Sequence, residues 1–288
     1  MAHPILVFGH SVLLEHPVFD GLDVRDVTRA FHPAVNDSRI APLLEGFLDP
    51  FVRSFLFALE AGAYDWAHVI VIWRAGANAL HAYRYACELR RLGILPFGPP
   101  LHLWNSAEGA TPAAKAFEAH EVARMKKAFV SLPRSAGIDR CTPLAQMHAL
   151  QQAGRLTGAE AFSRRLEARY HGRAVITSGG LPVQGKRIAL AGAPLGNDAL
   201  HRMLDACGAL VLDLQGPDEP RAATRDLLTA YGIETLVWQV DPHDDLYGWR
   251  MPGLRRLCAS LSIQFVDLGF VPTWPKTAEL EPLVERLQ

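Results

Sequence analysis

The chain has 288 residues, 49% of them apolar and 20% charged, with a net charge of −1. That length carries one large or two medium α/β domains and buries about three quarters of the unfolded surface without a metal or disulfide staple. The balanced charge, with arginines scattered rather than striped, excludes the concentrated basic field that nucleic acid or an anionic membrane demands. No apolar run approaches the roughly 18 residues a bilayer span requires. The opening MAHPILVFGHSVLLEHP has no basic leader and no small-residue cleavage site, so a soluble, cytoplasmic protein is expected.

In chain order, the first strand signal is Ile5-Leu6-Val7-Phe8, a short apolar run of the kind that sheets covered on both faces use. Pro50 to Leu59 reads as an amphipathic helix, Val69-Ile70-Val71-Ile72-Trp73 as a strand, and Ala79 to Leu92 as a helix closed by Gly93. Residues 108–171 contain no convincing strand and read as helices broken at Pro133, Pro143 and Gly154. Ser178-Gly179-Gly180-Leu181-Pro182 reads as a linker. Strand signals resume at Arg187–Ala191, Leu210–Leu212, Thr235–Gln239 and Ile263–Val266, with helices at 197–206, 253–261 and 278–287. This alternation predicts an α/β fold of two Rossmann- or flavodoxin-like lobes with parallel sheets. The expected division is an N-terminal lobe (1–105), a helical segment (106–180) and a C-terminal lobe (181–288). The four cysteines, Cys87, Cys141, Cys207 and Cys258, form no CxxC pair; they read as small buried hydrophobes in a reducing compartment.

Three stretches together carry a resemblance. Asp49-Pro50-Phe51-Val52-Arg53-Ser54-Phe55-Leu56 leads through Ala58–Asp65 to the strand at 69–73. Gly185-Lys186-Arg187-Ile188-Ala189-Leu190-Ala191-Gly192-Ala193-Pro194-Leu195 continues through Leu204-Asp205-Ala206-Cys207-Gly208-Ala209. Gly232-Ile233-Glu234 then opens a strand, helix and strand that end at Leu268. Their order and spacing resemble the 2-hydroxyacyl-CoA dehydratase and benzoyl-CoA reductase subunit family over nearly the whole chain. In that family each catalytic subunit holds an iron–sulfur cluster with three cysteine thiolates. The resemblance places these at or beside Asp49-Pro50, at Arg74-Ala75-Gly76 and at Gln215-Gly216-Pro217, none of which is cysteine. Since soft thiolate is what binds cluster iron, the resemblance implies a subunit or paralogue without an iron–sulfur cluster. It further implies an acyl-CoA or related thioester in an inter-lobe cleft, homo- or hetero-oligomeric pairing with a related dehydratase-type subunit, and redox chemistry supplied by that partner.

Read from the residues alone, ligands of an open parallel sheet sit outside the carboxyl ends of its strands. The loops there are Arg74-Ala75-Gly76-Ala77-Asn78, Gly192-Ala193-Pro194-Leu195-Gly196-Asn197-Asp198 and Asp241-Pro242-His243-Asp244-Asp245. Arg74 ends a buried strand and is a candidate for a carboxylate or CoA phosphate, or for an ordinary salt bridge. Gly192, Leu195, Gly196 and Asn197 lead into a helix whose free N–H groups suit an anion; Asn197 or Asp198 is equally a plain N-cap. Asn78 completes the candidate binding set on the first loop. Asp241 and His243 are the candidate base pair; the same residues fit a solvated turn, and their spacing fits no zinc pattern. Trp249, with Tyr247, is either a lid over a thioester chain or core packing. His81 and His201 read as helix-face residues. Neither GxGxxG, a P-loop nor Gly-x-Ser-x-Gly occurs, which leaves nicotinamide, ATP and serine-hydrolase chemistry unsupported. Beside the subunit reading stand a self-sufficient non-redox lyase or hydrolase acting through Arg74, Asp241 and His243, and a small-molecule sensor.

Overall fold

A computed structural model describes residues 4–9, 14, 16–74, 77–105, 111–134, 141–171, 180, 183–215, 224–243 and 246–287. The chain is α/β and divides into two compact units, Met1–Arg140 with Arg169–Arg173, and Cys141–Ala168 with Ala174–Gln288. The expected helical segment is thus shared between them. The linker residues Ser178, Gly179, Leu181 and Pro182 lie outside the described residues, as do Ala75, Gly76, Gly216, Pro217, Asp244 and Asp245.

Unit 1 is built on β1 (Ile5–Phe8), β2 (Val24–Asp26), β3 (Val69–Arg74) and β4 (Leu101–Asn105), all parallel, in the order β2-β1-β3-β4. Helix α1 (Pro50–Glu60) starts where the Asp49 carboxylate accepts the Phe51 and Val52 N–H groups, with Pro50 preset for the first turn. Its apolar face meets the sheet, with the Phe55 ring 4.6 Å from that of Phe8. Helix α2 (Ala77–Arg91) packs on α1 and β3 and closes at Gly93, in the left-handed region as expected of that glycine. Trp73 and Trp104 are paired in the β3–β4 register, their rings 4.5 Å apart. They join Ile5, Val7, Val24, Val71, Met125 and Phe129 in one core, closed by α3 (Pro112–Ala128).

Unit 2 contains α4 (Cys141–Gln152), most of α5 (Gly158–His171), β5 (Arg187–Gly192), α6 (Ala199–Cys207), β6 (Ala209–Asp213), α7 (Arg225–Ala230), β7 (Thr235–Val240), α8 (Leu246–Ser260), β8 (Gln264–Phe270) and α9 (Thr277–Leu280). Its sheet is again parallel, in the order β6-β5-β7-β8. Apolar clusters lie on both faces, which is why the centres of β5, β6 and β7 read as apolar runs. Pro143 falls in the first turn of α4, where no N–H is required, and so does not break it. The expected closing helix at 278–287 becomes α9 and a 3-10 turn, Glu281–Arg286, with Pro282 at the change. Cys258 is wholly buried in the unit 2 core, and burial pushes its thiol up to about 11. Among the described residues no helix is long and apolar enough to cross a membrane.

The two units repeat one plan. Ile5-Leu6-Val7-Phe8-Gly9 and Ile188-Ala189-Leu190-Ala191-Gly192 each end in a glycine with positive φ. A Cβ on Gly9 would lie 2.4 Å from the Trp73 carbonyl oxygen, and one on Gly192 would lie 1.9 Å from that of Gln239. The Val7 carbonyl accepts Val27 N–H as the Leu190 carbonyl accepts Leu214 N–H. Asp26 accepts Thr28 N–H at 2.8 Å, and Asp213 accepts Gln215 N–H at 3.0 Å. Each aspartate is buried against an arginine: Arg169 at 2.8 Å from Asp26, and Arg165 at 3.0 Å from Asp213. These arginines are four residues apart on α5.

Candidate functional site

In each unit the connections from the first strand and to the third run opposite ways, so the topological switch point lies at β1/β3 and at β5/β7. This is where an open α/β sheet leaves a crevice for ligands. In unit 1 the Gly9 N–H is held by the Thr28 hydroxyl at 2.8 Å, and the bare Cα lets β1 approach the Trp73 carbonyl. Arg74 follows directly, exposed at the carboxyl end of β3, and its guanidinium donates to the Asn105 side-chain oxygen at 3.1 Å. Asn105 is itself anchored, its N–H donating to Glu121, whose carboxylate pairs with Arg124 at 2.7 Å. The Arg124 hydrogen bond, helped by the Asn105 N–H, holds the Glu121 carboxyl below the usual range against the effect of burial. Arg74 is therefore an oriented cation at the switch point.

Asn78 faces a different task from the one its loop position suggests. Its amide donates to the second Asp49 oxygen at 2.7 Å. Asp49 is buried and already caps α1, so the pair ties the start of α2 to the start of α1.

In unit 2 the loop after β5 is largely committed internally. Ala193 N–H donates to the Gln239 carbonyl and Gly196 N–H to that of Thr273. Leu195 is in the core, and a Cβ on Gly196 would lie 2.2 Å from the Trp274 indole nitrogen. Asn197 accepts Ala199 N–H at 3.1 Å and donates to the Pro275 carbonyl, an Asx turn just before the N-cap residue Asp198, whose own side chain makes no capping bond. Asp198 pairs with Arg202 and accepts from Ser163. After β7, the Asp241 carboxylate accepts His243 N–H at 2.8 Å, so these two residues form a local turn. Trp249 is 80% exposed on α8, whereas Tyr247 lies half-buried near Trp238.

Two groups escaped the reading of the sequence. His201, taken for a helix-face residue, is wholly buried, with Nε2 at 3.0 Å from Asp213. Asp213 also accepts Arg165, which in turn donates to Gln151, and Gln151 donates to the Leu210 carbonyl. The shared pattern Asp26-Val27-Thr28 and Asp213-Leu214-Gln215 was the available signal: an acid, an apolar residue and a hydrogen-bonding residue closing the second strand of each unit. At this strand end a dinucleotide fold places the acid that holds a ribose; here both acids are buried and paired with arginine. The second group is Gln239, completely buried at the end of β7. Its signal was a glutamine inside an otherwise apolar strand.

Among the described residues no group of three or more His, Cys, Asp or Glu is placed to hold a metal ion. No protein-family model and no curated protein matches the sequence.

Proposed function

We propose that the chain is a subunit or paralogue of a 2-hydroxyacyl-CoA dehydratase-like complex that has no cluster of its own, works in the cytoplasm and holds an acyl-CoA-type thioester. The redox chemistry belongs to a cysteine-bearing partner subunit. The donor set at the three ligand places does not fit an iron–sulfur cluster. Asp49 is consumed by helix capping and by Asn78, Arg74 is a cation, and Gln215 is a buried amide.

The observation that carries the reading is Arg74: an exposed guanidinium at the unit 1 switch point, oriented by Asn105 and with no acidic partner among the described residues. A planar, permanently charged fork in that position suits a phosphate or carboxylate. The alternative of a self-sufficient lyase or hydrolase draws less support, because the Asp241 carboxylate is engaged in the turn to His243.

The test is a thermal-shift comparison of acyl-CoAs with their free acids, CoA and ATP, on the wild type and on Arg74→Ala. Acyl-CoA at 100 times its dissociation constant stabilises by about 2.7 kcal/mol, and Arg74→Ala removes about 1.5–3 kcal/mol of the binding energy. A melt that no CoA species shifts, or a shift that Arg74→Ala leaves untouched, overturns the reading.

A further inference from the structure

We propose that Gln239 is the specificity contact of the unit 2 switch point, and that it accepts a hydrogen bond from a neutral N–H or O–H donor on the bound molecule. The inference rests on the reading of the ligand as a thioester of the CoA class and concerns unit 2 alone. Gln239 is fully buried, and its side-chain nitrogen donates to the Ala193 carbonyl. That bond fixes the amide orientation, since the flipped amide would set two acceptors face to face. The side-chain oxygen is then left without a donor among the described residues. A buried acceptor with no partner carries the full cost of its lost hydration, and this one stands where the fold places ligands.

The surroundings of Gln239 point the same way. Side chains in register on neighbouring parallel strands share a face of the sheet, and both registered neighbours of Gln239 are glycines. Gly192 on β5 meets its carbonyl, and Gly269 pairs with it from β8. A Cβ built on Gly269 meets nothing within 4 Å. The ladder skips Leu268 of β8 between the Trp238 and Gln239 pairings, with Gly269 in the left-handed region; bulges of this kind bend the strand that carries them and are common beside active sites. Unit 1 has Trp73 at the equivalent place, flanked by Gly9 and Trp104, so the acceptor is particular to unit 2. A carbonyl oxygen does not attract phosphate. What it selects is the uncharged part of a thioester, whether the amide N–H groups of a pantetheine arm or the hydroxyl of a hydroxyacyl group.

Calorimetric titration of the full chain with S-acetyl-pantetheine, which has amide and hydroxyl donors but no phosphate, tests this. Parallel arms use an analogue with N-methylated amides and the S-(2-hydroxyacyl) and S-acyl pantetheine pair. Loss of the donor that Gln239 reads weakens binding to the wild type about ten-fold, the worth of one neutral hydrogen bond. N-methylation reports an amide donor, and loss of the acyl hydroxyl reports the other source. Gln239→Met removes the discrimination between parent and analogue, and the analogues alone decide the matter in the wild type if that variant fails to fold. The inference is overturned if all pantetheines bind the wild type alike, or if none binds. Adenosine 3′,5′-bisphosphate separates it from the parent reading. A response to that nucleotide lost in Arg74→Ala, with no pantetheine selectivity, sinks Gln239 and keeps the proposed function. Pantetheine selectivity without any nucleotide response does the reverse.

Discussion

Replacing Asp213 with Asn keeps the side chain's shape and removes its charge. Asp213 and Arg165 have side chains only 2% and 8% exposed, and one carboxylate oxygen serves both Arg165 and His201 at 3.0 Å. An amide turned to keep the Gln215 N–H bond would present its NH2 to those two donors. Removing one partner of a buried ion pair costs about 3–5 kcal/mol, against a total stability of about 5–15 kcal/mol for an ordinary protein. At about 2–4 °C per kcal/mol for a chain of this class, the melting temperature falls by about 6–20 °C. Urea unfolding measures the loss directly. Arg165→Met combined with Asp213→Leu, which removes both charges, recovers most of it, because apolar replacement of a buried pair is near neutral. The pH dependence follows from the same carboxylate. Burial raises its pKa, but the His201 hydrogen bond, the charges of His201 and Arg165 and the Gln215 N–H outweigh burial and hold it below the ordinary range. The folded state therefore takes up this proton less readily than the unfolded one. Its contribution is complete above the unfolded carboxylate value of about 3.9 and drains away as pH falls below it. Asp213→Asn flattens that acid limb. A loss under about 1 kcal/mol, or an unchanged acid limb, refutes the assignment of Asp213 as the charge holding the network together.

Gly192→Ala sets a methyl 1.9 Å from the Gln239 carbonyl at a φ of +113°, and Gly9→Ala sets one 2.4 Å from that of Trp73. Each destabilises by more than about 2 kcal/mol in denaturant unfolding, whereas Gly253→Ala, open on α8, does not. Asp49→Ala removes an N-cap and the acceptor of the half-buried Asn78 amide together, and lowers stability by about 2–3 kcal/mol in the same assay. Arg74→Ala, whose side chain lies at an exposed strand end, leaves the unliganded melting curve within about 0.5 kcal/mol of wild type. Sedimentation with co-expressed related subunits shows a complex rather than a monomer, as the subunit reading requires; a monomer indifferent to every partner favours the sensor.

The strands most legible in the sequence were those with a continuous buried centre, where burial forces an apolar run: β1, β3, β5, β6 and β7; β8, an edge strand, showed only through Phe265-Val266. The two edge strands of unit 1 were not. Val24-Arg25-Asp26 has an arginine at its centre, and Leu101-His102-Leu103-Trp104-Asn105 alternates behind Pro-Phe-Gly-Pro-Pro, so neither meets the composition of a buried strand. Helix α8 starts at Leu246, well before the expected 253, because Gly248, Pro252 and Gly253 read as breakers. The strand-end loops were legible from the fold rule alone. Their hydrogen bonds were not, and whether the amides after β5 are free depends on Thr273, Gln239 and Pro275, distant in sequence. His201 shows the same gap, since its burial is decided by Asp213 and Phe162 rather than by its own helix.

The indole pair in the β3–β4 register has an optical consequence. Two chromophores 4.5 Å apart and inclined at 39° share their excitations, so the near-ultraviolet and far-ultraviolet circular dichroism of Trp73 and Trp104 carries a couplet that neither ring gives alone. One is the residue before Arg74 and the other the residue before Asn105. Any displacement of the strand ends that aim Arg74 changes the angle between the rings, and with it the sign or size of that couplet. The protein thus reports on the alignment of its own candidate anion contact without a label, in the same sample used to titrate a ligand.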